Sequence, residues 1–432
     1  MNQNKTVMQV WGGYLLFFIT LVFVLLLGSV SSAVIFLILF IAGQFHFKDE
    51  RKLFVLLFPI GVLFAIFLYH YWMSITGNSY YLGAKSDDWQ YDVLWSKDYY
   101  KLYGISYNEL QEYLGGYHNS YGYVYLIILL RWFGDLFDGY HTLLPRMLNI
   151  YLLFWISSIA SRIVRFYLPN KPEFGLIAAT AIFLYPVMIF NSSHVFRDTL
   201  ISLLILRVFH YSRIKGISIK SVFYIIICLS ILISLRVGTL FFVVFMMGII
   251  FIQKKHLKIS LALLGLVFVG LGVFYFDFFM NYVTSKLSSY SELNSERLGT
   301  FGSKVFGLPI FLGFIPRIIY FIFTPVPNFS GFHQLFVSIS AFLQIFFFPI
   351  LLGSVFSRFI DKRLIFSFLI FFLGVALSTA TFRHVMMYIP FGIILVTIYI
   401  GINGFKISRD YIGKIIGLLI CFVLTLLVVI IF

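Results

Sequence analysis

Runs of about 18 or more apolar residues, broken by short polar stretches, recur from one end of the chain to the other, the pattern of helices that cross a bilayer. Trp11–Gly13 open a run to about Leu27, Gly28–Ser32 break it, and a second run reaches about Phe45. Further runs cover about 53–74, 144–161, 174–190, 200–210, 259–276, 333–356, 364–382, 385–402 and 411–431. Residues 221–253 are too long for one crossing and carry Arg236-Val237-Gly238 at their middle, which predicts a hairpin with Arg236 at its tip. Two stretches are apolar but interrupted: 121–137, by Arg131 and then Gly134-Asp135, and 309–323, by Pro316-Arg317. Both are expected to lie at the membrane interface. The pattern predicts an all-α, polytopic membrane protein: about 13 transmembrane helices and two outer interfacial helices, in a single integral membrane domain over 1–432.

Charge gives that pattern an orientation. Lys48–Lys52, Arg162–Lys171 and Arg213–Lys220 are short and basic, so they belong on the cytoplasmic side, with the N-terminus. The stretch 75–119 carries six acidic residues, from Asp87 to Glu112, against three lysines. It therefore belongs outside, within a first large loop over 75–143, and a second outer loop covers 277–331. The first run is expected to be retained rather than cleaved as a signal peptide. A net charge of +15 would suggest nucleic acid in a soluble chain. In a chain that is 61% hydrophobic, with basic residues in short loops, it reports topology, and no nucleic-acid partner is expected. Cys228 and Cys421 lie in apolar segments and form neither a metal motif nor a disulfide framework.

The candidate chemistry sits at the outer ends of the runs. Asn191–Thr199 is a polar island between two apolar runs, carrying Arg197 beside Asp198. Taken alone, Asp198 caps the following helix and Arg197 snorkels to headgroups. Arg236, Arg317 and Arg383 occupy similar places, and that recurrence favours a site. Guanidinium forks bind phosphate bidentately and stay charged at any working pH, which suits a pyrophosphate on a lipid carrier. As a leaving group, pyrophosphate gathers charge that such donors stabilise, so neither a metal nor another cofactor is needed. Asp198, His194, His384 and the pair Asp87–Asp88 are candidates for the base that deprotonates a sugar hydroxyl. Arg297 in the second loop is a further candidate contact. The tyrosines of the first loop, Tyr121 among them, serve equally as sugar-stacking platforms or headgroup anchors. Arg207 is the deepest charge in any run, near enough to an inner end to snorkel.

The Phe/Leu/Ile-rich runs, the large outer loops, Phe196-Arg197-Asp198-Thr199, Arg236 at its break and Arg383-His384 before Pro390 together resemble the Wzy-type O-antigen polymerases, and more distantly GT-C membrane glycosyltransferases. The Arg-x10-Gly pattern of some members is absent: Arg297 to Gly307 and Arg236 to Gly248 have other spacings. The resemblance implies a GT-C-like enzyme of the bacterial inner membrane. Such an enzyme moves a growing glycan from undecaprenyl pyrophosphate onto a new lipid-linked repeat unit at the periplasmic face. A flippase and a chain-length regulator are the pathway partners it implies. Three alternatives remain: an O-antigen ligase, a transferase using a polyprenyl-phosphate sugar with Asp87–Asp88 essential, and a lipid-linked oligosaccharide transporter. Transporters place charges at mid-membrane around repeat-related broken helices, and no internal repeat is evident here.

Overall fold

The computed structural model describes residues 2–84, 86–115, 120–216, 218–251, 304–305, 308, 310–324, 331–378, 382–405 and 407–431. Everything in it that is regular is helical. It divides into two compact units, Met1–Val243 and Val244–Phe432. Arg297, the run 259–276 and most of the stretch 277–331, expected to be the second outer loop, lie outside the described residues.

The first unit opens with α1 (Asn2–Leu27), α2 (Val30–His46) and α3 (Arg51–Thr76), the last preceded by a 3₁₀ turn at Lys48–Glu50. Phenylalanines hold these three together. Phe17 stacks on Phe36 and Phe40, and Phe36 stacks on Phe58. Between apolar helices in lipid, association rests on such van der Waals fit rather than on escape from water. Gly43 shows how close the fit is, since an added Cβ would meet the Phe54 ring at 2.1 Å.

After Gly77 the stretch expected to form the first outer loop folds into short pieces: α4 (Asp87–Trp89), a π-helical segment Gln90–Lys97, α5 (Asp98–Tyr103) and α6 (Leu110–Tyr113). The helix expected over 121–137 is α7 (Tyr121–Asp135), which packs on the π segment. Beyond it, Asp138 caps α2: its carboxylate accepts from the Val30 N–H at 2.6 Å and the Ser31 N–H at 2.8 Å. Two donors orphaned at a helix start are thereby satisfied.

The hub is α8 (Leu143–Tyr167), which packs against α2, α3, α9, α10 and α11. Ser157, Ser158, Ala160 and Ser161 are all buried, and such small side chains let the neighbouring helices approach closely. The expected run 174–190 is interrupted. α9 (Glu173–Leu184) and α10 (Pro186–Ser192) meet at a 57° bend. Pro186 disfavours a helical Tyr185, which is extended, and then starts α10 with its own preset φ. α11 (Asp198–Phe209) follows the polar island and ends in a π turn at His210–Ile214. The run 221–253 is divided at Arg236 into α12 (Ile219–Leu235) and α13 (Val237–Phe251), which gives the expected break but not the side-by-side packing of a hairpin.

The second unit contains α14 (Ile310–Ile322), α15 (Phe332–Phe356), α16 (Lys362–Ser378), a 3₁₀ turn Phe382–Met387, α17 (Ile389–Asn403) and α18 (Arg409–Ile431). α15 packs against α17 and α18, and α14 against α16 and α18. Among the described residues three helical stretches, Lys48–Thr76, Leu143–Tyr167 and Phe332–Phe356, are long and apolar enough to cross a membrane, and the bent α9–α10 pair makes a fourth if taken together. Six shorter apolar helices accompany them.

Candidate functional site

One end of the first unit gathers the polar groups that the sequence scatters. Asn149, on α8, donates to the carbonyls of His194 at 2.9 Å and Phe196 at 3.0 Å, and to the Tyr123 hydroxyl at 3.2 Å. It thereby clamps the island between α10 and α11. His194 is fully buried, with Nδ1 2.7 Å from the Phe190 carbonyl oxygen and Nε2 accepting from the Trp72 indole N–H at 2.8 Å. Those partners specify a neutral ring protonated on Nδ1, because the indole only donates and the carbonyl only accepts.

Next to it, Arg197 reaches out of the island. Its Nη1 donates to the Ser120 hydroxyl and, at 2.6 Å, to the carbonyl of Leu235, the last residue of α12. Its guanidinium carbon lies 5.8 Å from the Tyr91 ring centroid. The following residue, Asp198, starts α11 with its carboxylate 3.9 Å from Arg236 Nη1. Arg197 and Arg236, far apart in sequence, thus converge at the junction of the α11 start and the α12 end. Two guanidiniums thus come to the neighbourhood of Asp198, and such forks are the groups that bind an anion bidentately.

A second polar group lies in the same layer. Arg131, within α7, pairs with the Asp92 carboxylate, donates from Nε to Ser96 Oγ at 3.0 Å and from Nη2 to the Asp92 carbonyl at 2.6 Å. That carbonyl belongs to the π segment, whose wider i→i+5 ladder alters the usual pattern of carbonyl acceptors. Tyr80 donates to the other Asp92 oxygen at 2.9 Å, and burial together with Asp92 raises its phenol above the usual range, so it remains a donor. Asp88 is fully buried and accepts from the Ser86 hydroxyl at 2.6 Å and the Tyr81 N–H at 2.9 Å, while Asp87 is half-buried. The buried Arg146, donating to the Ser79 carbonyl, is within electrostatic reach of Asp88 and Asp92. His141, beside Arg146, is lowered to about 4 by burial and by that guanidinium. No group of three or more His, Cys, Asp or Glu side chains able to hold a metal occurs among the described residues.

No protein-family model, curated protein or solved structure matches this chain.

The other expected site residues have different surroundings. Tyr121 sits in a tyrosine cluster, 6.3 Å from the Tyr107 ring, which is itself 4.9 Å from Tyr125. Arg317, Arg383 and His384 belong to the second unit. Arg317 is buried in α14 and donates to the Leu308 carbonyl at 3.0 Å. Arg383 is half-buried and His384 buried in the 3₁₀ turn before α17. The first unit therefore unites Arg197, Asp198, His194 and Arg236, with Asp88 in the adjoining network.

Asn149, Asp92, Arg131, Arg146 and Tyr91 were not singled out as site residues from the sequence. A usable signal existed for two of them. Arg131 and Arg146 are lone charges in or at the start of apolar segments, and such charges ordinarily face a partner rather than lipid. Nothing in the linear pattern marks Tyr91 among its many neighbouring tyrosines.

Proposed function

We propose that this chain is a membrane glycosyltransferase acting on lipid-linked glycans, and specifically a repeat-unit polymerase of the O-antigen type. The observation that carries the reading is the convergence of Arg197 and Arg236 beside Asp198. In this reading the two guanidiniums bind the pyrophosphate of the undecaprenyl donor. An acceptor hydroxyl oxygen attacks the anomeric carbon, and the bond from that carbon to the pyrophosphate oxygen breaks. The pyrophosphate leaves with the electron pair, stabilised by Arg197 and Arg236, and the hydroxyl proton passes to Asp198. His194, with both nitrogens engaged, serves to shape the island. The reading includes a thirteen-span, GT-C-like arrangement in a bacterial inner membrane with this layer facing the periplasm. Arg317, Arg383 and His384 are its remaining candidate contacts, and a flippase and a chain-length regulator its pathway partners.

A second reading draws on the buried Asp88 and Asp92 beside Arg146. It is a transferase using a polyprenyl-phosphate monosaccharide, with Asp87–Asp88 at its centre. One experiment separates the two. Purified protein is given an undecaprenyl-pyrophosphate-linked repeat unit, or separately a polyprenyl-phosphate sugar with an acceptor, and products are resolved on a gel. A ladder from the first substrate, lost in Arg197→Ala and Arg236→Ala, supports the polymerase. Transfer only from the second, lost in Asp87→Asn/Asp88→Asn, replaces it with the monosaccharide transferase. Neither product from correctly folded protein rejects both.

A further inference from the structure

The opposite end of α8 carries a second cationic cluster, which the proposed reaction does not use. It is assembled from α2, α8, α11 and the π turn. Arg207 on α11 lies with its guanidinium carbon 4.3 Å from the Trp155 ring centroid, and His46 packs against the same indole at 4.4 Å. Arg162 and Arg207 both lie within electrostatic reach of His46, and with Lys215 both also reach His210. The two arginines are half-buried, and Arg162 Nε is a buried donor with no hydrogen-bond partner.

The buried acid on the turn that follows α2 is already committed. Glu50 is buried, accepts from Ser158 Oγ at 2.9 Å and Ser161 Oγ at 3.1 Å, and pairs with Arg165 at 3.3 Å. Among the described residues neither Arg162 nor Arg207 has a carboxylate within ion-pair distance. Half-buried guanidiniums kept apart from carboxylates, one held over an indole ring, make an electropositive recess rather than a solvated fringe.

We propose that Arg162 and Arg207, with His46, His210 and Lys215 around them, bind a phosphate group, and that it is the headgroup phosphate of an anionic phospholipid. Phosphate accepts guanidinium forks bidentately. The position favours a lipid over a free anion. Arg162 is roughly 24 Å along α8 from Arg146 at the ordinary helical rise, so the recess and the polar layer are separated by nearly a hydrocarbon core. The bound lipid would tie α8 to α11 at the end remote from the island that α11 begins. This inference stands independently of the reaction proposed above.

The test is native mass spectrometry of the full chain released from detergent mixed with phosphatidylglycerol, phosphatidylcholine or inorganic phosphate alone. Phosphatidylglycerol adducts should exceed phosphatidylcholine adducts and fall about tenfold in Arg162→Gln/Arg207→Gln, a change of about 1.4 kcal/mol. Arg162→Lys/Arg207→Lys, which keeps charge but loses the forks, should fall in between. Lys48→Gln/Lys52→Gln removes two exposed charges outside the recess and should bind like the wild type. Equal phosphatidylglycerol binding by wild type and the well-folded Lys double variant and Gln double variant overturns the site. An equal loss in the Lys48/Lys52 control overturns it too, leaving only general surface charge. Saturation by inorganic phosphate with no lipid preference keeps the anion site and overturns the lipid as its ligand.

Discussion

Two arginine–aspartate pairs lie in the same polar layer and differ in every physical respect that matters. Arg131 contacts Asp92 directly, with side-chain exposures of 9% and 0%, and the surrounding Ser96, Tyr80 and Asp92 carbonyl complete its hydrogen bonding. Arg236 stands 3.9 Å from Asp198, at 19% and 3% exposure, with Arg197 brought alongside. The first arrangement is closed: guanidinium and carboxylate are in direct contact and both are buried. In the second the pair is looser and its guanidinium more exposed, with Arg197 brought to the same helix end. A closed buried pair organises a loop, whereas a looser and more exposed guanidinium can be reached by a ligand. Residue type alone does not separate these roles; distance and exposure do.

The largest expected effect breaks the closed pair. Arg131→Met leaves Asp92 buried without its cation and should destabilise the first unit by roughly 3–5 kcal/mol. Thermal unfolding in detergent would record it, and adding Asp92→Leu should recover much of the loss by removing the stranded charge. If the single variant unfolds like wild type, the assignment of this pair to structure is wrong.

Next comes the open pair, with the opposite signature. Arg197→Ala and Arg236→Ala should each lower product formation by about 10²–10³-fold, the scale of one lost transition-state donor. The unfolding midpoint should move far less than in Arg131→Met. A large midpoint shift with activity intact would make the two pairs alike and remove the contrast.

The clamp between them should give an intermediate result. Asn149→Ala strands the carbonyls of His194 and Phe196, an expected cost of roughly 1–3 kcal/mol, and releases the island that carries Arg197. Both activity and stability should fall, activity by more than the unfolded fraction explains.

At neutral pH the smallest effect is that of His141 beside Arg146, which shows itself only as a pH dependence. His141 binds its proton less readily in the fold, with its pKa at about 4, than in the unfolded chain near 6.5. Its contribution to stability is therefore complete above pH 6.5 and is lost progressively as pH falls toward 4. His141→Asn should flatten that part of the midpoint-against-pH curve without altering it at pH 8.

Much of the local fold is visible in the linear pattern, and so is part of the site. The breaks at Gly28 and Arg236, the helix over 121–137 and the prominence of Arg197–Asp198 follow from apolar runs and from the cost of charge among them. The 57° bend at Tyr185–Pro186 was less visible, although its cause is local: a proline restricts the residue before it. The networks were not visible. Asp92 finds Arg131 across 39 positions, and Glu50 finds Ser158 across 108. Such pairings depend on which helix faces which, and apolar periodicity carries little of that information when helices are apolar on nearly every side.

The linear pattern settles the class of molecule: long apolar runs can be satisfied only by helices whose backbone bonds are internal, and charges among them are costly unless partnered or used. Packing settles which charges meet, and how closely. Arg131 and Arg236 are the same residue in comparable apolar settings, yet α7 delivers one into direct contact with a buried carboxylate while the α12 end holds the other 3.9 Å from Asp198 and near a second guanidinium. That outcome is set by helix packing around α8, which couples residues scores of positions apart through contacts no linear pattern encodes.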